Sequence, residues 1–518
     1  MGLRASRIAP FAKMPGYAAP AMPAAAPNPS SHAVPYFAPC DVDQADEHAD
    51  KRIDKRADKR ADKRADKRTD KRTDKRTDKR AVDHADPAAN NVCAIDFGTS
   101  NSAIALPTAS GVQLVELEPG QRTMPTAVFY AVEGLGAYES PQRHYGRAAV
   151  AAYVDGTEGR LMRSMKSILG STLATQATDV GGGHSVRYLD VVGGYLQHLK
   201  TRAERQAGHA LSRVVLGRPV FFVDDDPERD AAAQSALATA AREIGFTDIS
   251  FQYEPIAAAL DYETTVDREQ VVMVADIGGG TSDFSLVRVG PGQRGRTDRK
   301  GDILANHGVH IAGTDFDRHI ELAHILPACG FRTLGPTGRE VPSRVYFDLA
   351  TWHLINTVYA PARVAELARM KSFYADPRHH ARLMTAVTGR LGHALIGQAE
   401  AAKIAVAEGG HTTLDLAALG LGGDGALRVA IDETQALAAV DADLERIAAA
   451  ADDTLTQAGL ARDRVDALYF TGGSTGLRPL AERIAARFPA ARRVSGDRFA
   501  SVAQGLGVHA RQVFGGAR

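Results

Sequence analysis

The sequence predicts an α/β protein with two similar lobes, each built around a sheet. Three features of its 518 residues lead there. An apolar run ending in an acid, then a Gly/Thr turn and a second apolar run, occurs at Asp96 and again at Asp276. Strand-like runs alternate with stretches of helical period after the first of these. The 428 residues from position 91 onward exceed what one hydrophobic core sustains. The expected boundaries are 91–268 for the first lobe, 269–495 for the second, and 496–518 for a helix returning to the first.

Taken in order, residues 92–97 (Val-Cys-Ala-Ile-Asp-Phe) read as a buried strand, and Gly98-Thr-Ser-Asn101 as a turn. Residues 102–106 form a second strand, and 112–117 alternate apolar with polar after another turn, which makes an antiparallel meander. Helical spacing of apolar residues appears at 195–207 and 231–244, with a strand expected at 214–223 between them. Residues 271–277, the turn Gly278-Gly-Gly-Thr-Ser282 and residues 284–289 repeat the opening hairpin. Helical patterns follow at 343–358, 360–373 and 397–407. Gly420-Leu-Gly-Gly-Asp-Gly425 fits Gly-x-Gly-x-x-Gly but precedes a strand-like run, so Asp424-Gly425 reads as a hairpin turn. The chain closes with a strand at 467–470, the turn Gly472-Gly-Ser-Thr-Gly476, and a helix with Leu477, Leu480, Ile484 and Phe488 on one face.

The 62 basic and 62 acidic residues cancel only on average. Residues 1–90 carry a net charge of +5 and the remainder −5. From Ala49 to Arg80 run eight copies of a tetrad ending Asp-Lys-Arg. The repeat has no apolar stripe and sets like charges four residues apart, so it reads as a solvated spacer rather than a docked helix or a specific nucleic-acid arm. With the Ala/Pro-rich residues before it, it forms an expected disordered leader. Cys40, Cys93 and Cys329 include no Cys-x-x-Cys pair, which excludes a disulfide framework or a zinc site and points to a reducing cytoplasm. No run approaches the roughly 20 apolar residues of a membrane span, so no membrane partner is expected.

Glycine turns expose backbone amides that bind phosphate oxygens. A carboxylate just before such a turn suits a divalent cation held through water, as magnesium prefers. Two such turns, with Asp96 and Asp276 placed alike, would clamp a polyphosphate from both sides. The third turn, at Gly472 and Gly473, sits between a strand and a helix, where a phosphate or ribose can rest on amides. The chain has no Walker A sequence, so a P-loop mechanism is excluded.

Ala94-Ile-Asp-Phe-Gly-Thr-Ser-Asn101, Tyr253-Glu-Pro-Ile-Ala-Ala-Ala-Leu260, Asp276-Ile-Gly-Gly-Gly-Thr-Ser-Asp283 and Thr471-Gly-Gly-Ser-Thr475 occur in this order. Together with Met165-Lys-Ser-Ile-Leu-Gly170, Ile311-Ala-Gly-Thr-Asp-Phe-Asp317 and Glu400-Ala-Ala-Lys403, the set resembles the nucleotide-binding domain of DnaK-type heat-shock chaperones. The resemblance runs from about residue 92 to the end and is greatest to the stand-alone YegD-like branch. It implies an actin-like ATPase fold of two ribonuclease H-like lobes around a cleft holding ATP or ADP and magnesium, with slow hydrolysis and partner proteins or co-chaperones.

By that resemblance Asp96, Glu254 and Asp276 surround hydrated magnesium, and Asp283 lies beside a monovalent-cation (potassium) site. Lys166 is the catalytic lysine and Glu254 the residue placing the attacking water. Gly98, Thr99, Ser100, Gly278, Gly279, Gly280 and Thr281 contact phosphates, with Asp276 and Thr281 sharing in the chemistry. Gly313, Glu400, Lys403, Gly472, Gly473 and Ser474 surround the nucleoside, and Asp497, also in the nucleotide-binding set, is an acid near the hinge. These roles fit phosphoryl transfer, where positioning and electrostatics dominate.

Several positions depart from the family pattern. Gly476 stands where an adenine-stacking Arg is usual, with Arg478 a nearby substitute, and Ala407 stands for a Ser. Pro219 matches the family's switch proline, but the following Arg is displaced to Arg229. Only 21 residues follow Asp497, so no peptide-binding domain is expected there. Rival readings are a small-molecule kinase of the same superfamily and an actin-like filament former. A hydrolase built on Ser474, Asp497 and His509 has too little chain after Gly476 for its usual strands. The pairs His379/His380 and His307/His310 read as surface residues, and Trp352 as packing.

Overall fold

The computed structural model describes residues 91–515 except 137–138, 224–225, 408, 422–426 and 498–499. The expected leader and the Asp424-Gly425 turn therefore lie outside the described residues, all of which fall in one compact unit, Val82–Arg518. The unit is mixed α/β and holds two sheets of matching design.

The first sheet contains β1 (Val92–Phe97), β2 (Asn101–Thr108) and β3 (Gly111–Leu114), an antiparallel meander. Helix α1 (Tyr188–Ala207) leads to β4 (Arg213–Arg218), and α2 (Pro227–Glu243) leads to β5 (Asp248–Tyr253). Both late strands add in parallel, giving the order β3-β2-β1-β4-β5, with a short strand Thr123–Pro125 also on β2. Helix α3 (Glu254–Glu263) crosses to the second sheet. There β6 (Gln270–Ile277), β7 (Ser282–Val289) and β8 (Ile303–Val309) form another antiparallel meander. After α4 (Gly313–Ile320), α5 (Gly392–Val406) and α6 (Glu433–Gln457) comes β9 (Ala467–Thr471). Helix α7 (Arg478–Arg487), β10 (Arg492–Ser495) and α8 (Ser501–Phe514) complete the chain. The order β8-β7-β6-β9-β10 repeats the first sheet strand for strand, with the same directions. The recurrence of Asp–Gly/Thr turns in the sequence is thus a recurrence of topology.

Parallel strands buried on both faces need continuous apolar runs, and β1 and β9 are such runs. One apolar cluster joins Ala94 of β1, Val274 of β6, Ile256 of α3 and Leu506 of α8, so these helices share a core with both sheets. Two glycines of α8 allow its close approach. A Cβ on Gly505 would lie 1.9 Å from the Ala257 carbonyl oxygen, and one on Gly507 would lie 2.5 Å from a Val112 methyl carbon.

Three elements differ from expectation for identifiable reasons. The strand expected over 214–223 ends at Arg218, because Pro219 has no N–H to donate and the Arg218 guanidinium bonds the carbonyls of Pro219 and Val220. The run 112–117 leaves the sheet after Leu114, where Leu117 and Glu118 close a turn on Gln121. The helical pattern of 343–358 divides into Arg344–Leu349 and Ile355–Val358. Cys93 and Cys329 are buried free thiols. No helix among the described residues is long and apolar enough to cross a membrane.

Because the Gly505 contact is with backbone, the chain cannot relax around an added side chain by a rotamer change. Gly505→Val should lower unfolding free energy by about 1–3 kcal/mol or more. Denaturant titration measures it, and an unchanged midpoint would show that α8 does not depend on this approach.

Candidate functional site

Asp96 and Asp276 are each the penultimate residue of their sheet's first strand. The turns that follow come together: a Cβ on Gly279 would lie 2.7 Å from the Ser100 hydroxyl. The first turn, Gly98–Ser100, is held by Thr126, whose hydroxyl donates to the Gly98 carbonyl at 2.8 Å and whose amide donates to Ser100. Gly98 has no room for a side chain, since a Cβ there would lie 2.2 Å from the Asn101 carbonyl oxygen.

Lys166 enters from a 3-10 turn, Met165–Ile168, preceded by Ser164 with a left-handed φ of 53°. Such a conformation costs a non-glycine residue about 1–3 kcal/mol and is common where function fixes the backbone. Arg229, on α2, anchors the far end of this segment by donating to the Gly170 carbonyl at 2.7 Å. The Lys166 ammonium forms an ion pair with Glu254, the first residue of α3. Glu254 stands directly over Gly217, where a Cβ would lie 3.3 Å from its carboxylate oxygen. Arg218 supports this corner, bonded to Asp230 at 2.8 Å and lying over the Tyr253 ring.

The recess gathers more carboxyls than cations. Asp96 and Asp276 keep some accessible surface, yet protein surrounds them. Burial, then Glu254 and Asp276, pushes the Asp96 carboxyl up to about 8 against the pull of Lys166. Burial, then Asp283 and Glu254, pushes Asp276 up to about 7, again opposed by Lys166. Asp283 is raised too, by desolvation that outweighs its hydrogen bond from Thr281 and the attraction of Lys166. For Lys166 burial works against the charge, but Glu254 and Asp96 outweigh it and the ammonium is held above its usual range. Four carboxyls, Asp96, Glu254, Asp276 and Asp283, thus share one ammonium. Among the described residues, no three His, Cys, Asp or Glu side chains could hold a metal ion directly. The chemistry of the recess suits a cation kept at the distance of its water shell.

The second turn is fixed from behind. The Ser474 hydroxyl donates to the Gly278 carbonyl at 2.7 Å, and the Thr314 amide and hydroxyl donate to Gly279 at 2.8 Å. The carbonyls are thereby engaged, while a Cβ on Gly280 would meet nothing, so this backbone borders open space. At Gly313, which begins α4, a Cβ would lie 2.5 Å from the Ser474 hydroxyl and 3.5 Å from the Lys403 ammonium. The three elements carrying Gly278, Gly313 and Gly473 therefore meet, with Gly472 turning through a φ of 85°. Lys403 is already engaged, pairing with Asp317 at 2.7 Å and donating to the Gly313 carbonyl at 3.2 Å. Burial raises Asp317 to about 6, with Lys403 opposing. Beside the turn, a cavity of about 470 Å³ is lined by Phe470, Thr475, Gly476, Arg478, Glu482, Arg493 and Ser495, among others.

Some expected roles change. Arg478, half-exposed, pairs with Glu433 at 2.6 Å and Glu482 at 3.1 Å. The hydrolase triad is not assembled: Ser474 donates to Gly278, and buried His509 bonds Gln252 at 3.1 Å. His380 is buried and bonded to the Leu367 carbonyl, not on the surface. Glu400 is exposed, and its field acts on Asp317 and Arg163. Thr126, Asp317 and Arg163 carry interactions that the sequence did not single out. Asp317 lay within a quoted motif, whereas Arg163 gave no signal. Its guanidinium sits 4.3 Å over Trp352, which stacks on Tyr153 and meets the edge of His393.

Residues 92–328 match the family described as Hsp70 protein. The Chaperone protein DnaK of Mycoplasmoides gallisepticum is 29% identical over 231 residues, 44% of this chain and 35% of that relative. The match thus spans about a third of the relative's length. The similarity covers the first sheet, the Lys166 and Glu254 segments and the second hairpin, which agrees with the resemblance expected from the motifs.

The raised carboxyls make a signed prediction for the metal-free, nucleotide-free chain. Above the ordinary value of 3.8 the unfolded chain loses these two protons, while the folded chain keeps them until about 7 and about 8. Their stabilising contribution is therefore greatest below 3.8 and falls as pH rises to about 8. Relative to wild type, Asp96→Asn and Asp276→Asn should gain stability progressively over that range in denaturant titrations. A difference independent of pH would remove the electrostatic account.

Proposed function

We propose that this chain is a chaperone-like ATPase, related to the stand-alone YegD-like branch, that binds Mg-ATP between two lobes and hydrolyses it slowly to ADP. The observation that carries this reading is the meeting of two equivalent glycine turns, through Ser100 and Gly279, above a recess where Asp96, Glu254 and Asp276 surround Lys166. The lobes are 91–268 and 269–495, the terminal helix joining the first.

The surplus of carboxyls over cations in the recess supports a place for magnesium. Asp96, Glu254 and Asp276 would hold it through its water shell, and Asp283 would border a potassium ion. When bound, magnesium neutralises charge on the phosphates and on the nucleotide's leaving group. The amides of the turns at Gly98–Ser100 and Gly278–Gly280, with the hydroxyls of Thr99 and Thr281, receive phosphate oxygens. Glu254 accepts a hydrogen bond from the attacking water, and Lys166 stabilises the charge gathering on the transferred phosphoryl group. The tight Lys166–Glu254 pair fixes these two groups relative to each other before substrate arrives. Gly313, Glu400, Lys403, Gly472, Gly473, Ser474 and Asp497 hold the nucleoside. Closure of the lobes around ATP is the signal passed to partner proteins in the cytoplasm.

Lys166→Ala should lower ATP turnover by about a hundredfold or more while Mg-ATP still binds. Single-turnover hydrolysis with calorimetric binding measures both. Undiminished hydrolysis would remove Lys166 from the chemistry, and loss of binding with hydrolysis would assign it to nucleotide capture.

A further inference from the structure

Gln252 and His509 are polar side chains in the interior, 2% and 1% exposed. Gln252 lies on β5, two residues before Glu254, and pairs in register with Gly217 of β4, so the two share a face of the sheet. Helix α8 covers that face. A Cβ on Gly217 would lie 3.1 Å from a Leu506 methyl carbon and 3.3 Å from a Glu254 carboxylate oxygen, so the helix and the glutamate meet there. His509 follows Leu506 by three residues, on the same side of α8, and its Nδ1 lies 3.1 Å from the Gln252 Nε2.

A neighbouring bond fixes the direction of this one. The Tyr253 amide donates to the Gln252 Oε1 at 2.8 Å, which turns the Nε2 toward the imidazole. An amide nitrogen only donates, so His509 accepts at Nδ1 and carries its proton on the other ring nitrogen. Burial, aided by Arg299 and opposed by a hydrogen bond with Gln512, lowers His509 to about 4, which keeps the ring neutral near pH 7. Tyr253 is in turn the N-cap of α3. A continuous path therefore runs from the His509 ring through the Gln252 amide to the residue that precedes Glu254.

Resting on the ATPase function proposed above, we infer that His509 is a positioning residue for Glu254, acting through Gln252 on the corner between β5 and α3. It touches neither nucleotide nor water. The Lys166–Glu254 pair fixes two side chains relative to each other, but both are long and can shift together. The His509–Gln252 bond fixes the backbone from which Glu254 departs, so the carboxylate stays over Gly217, where the attacking water is placed. A misplacement of about 1 Å at such a point can cost a reaction about a hundredfold. The terminal helix thus contributes to the chemistry through a hydrogen-bond acceptor as well as through packing.

The test compares His509→Leu and His509→Asn in the full chain, by single-turnover ATP hydrolysis and calorimetric Mg-ATP binding. Rates are taken per chain that binds Mg-ATP, so loss of folded protein does not imitate loss of chemistry. Leu fills the space but leaves the Gln252 Nε2 buried without an acceptor, whereas Asn is smaller and puts its Oδ1 in the place of Nδ1. His509→Leu should slow hydrolysis by about tenfold or more with Mg-ATP affinity within about threefold of wild type. His509→Asn should hydrolyse within about threefold of wild type. Packing alone gives the opposite order, because Leu replaces the lost volume and Asn does not. In a Glu254→Gln background, His509→Leu should slow the remaining hydrolysis by less than about twofold. A wild-type rate for His509→Leu, a tenfold loss in His509→Asn, or a full loss on top of Glu254→Gln would each overturn the inference and leave the ATPase reading intact. A wild-type chain that hydrolyses no ATP would overturn both.

Discussion

A buried cluster of carboxyls gathered around one ammonium governs this structure. Asp96, Glu254 and Asp276 face a single ammonium, Lys166, and two of the three carboxyls are driven toward neutrality by their surroundings. Burying one charge without a partner is costly, and apolar replacement of such buried groups is often neutral or stabilising for a fold. The chain instead invests a strained residue, Ser164, and a closely packed glycine, Gly217, in holding Lys166 and Glu254 at this point. Such an arrangement supports the proposed cationic ligand.

The repeated sheet design explains how the recess arises. In each sheet the first strand ends in an acid and a glycine turn, and parallel strands extend the sheet beyond it. Placing α3 and α8 in a common core with both sheets sets the two turns face to face. The contact of Ser100 with Gly279 follows from that packing, not from any local preference of either turn. The close approach of α8 through Gly505 and the ion pair at the head of α3 thus belong to one mechanical frame.

Much of this was legible in the sequence. The hairpins at Asp96 and Asp276 were readable because an apolar run broken by glycines has few other uses, whereas the parallel strands that extend each sheet carried no such signal. The end of β4 at Arg218 was harder, since the run continues apolar through Phe222 and only the proline interrupts it. The division of 343–358 depends on tertiary packing that no periodicity encodes. At the site, glycine turns and their acids announced themselves. Side chains that act at a distance in sequence did not: Arg163 meets Trp352 across 189 positions. Nor did the sequence signal the pairing of Arg478 with Glu433 and Glu482.

The central claim is that the carboxyls of the recess await a cation and a nucleotide. It is tested most directly by counting protons when preformed Mg-ATP binds at pH 7, from calorimetry in buffers of different ionisation enthalpy. With Asp96 near 8 and Asp276 near 7 in the free chain, binding should release between about one and two protons. Tight binding with no proton release would contradict the account, because the carboxyls would then have been ionised, and balanced, before the ligand arrived.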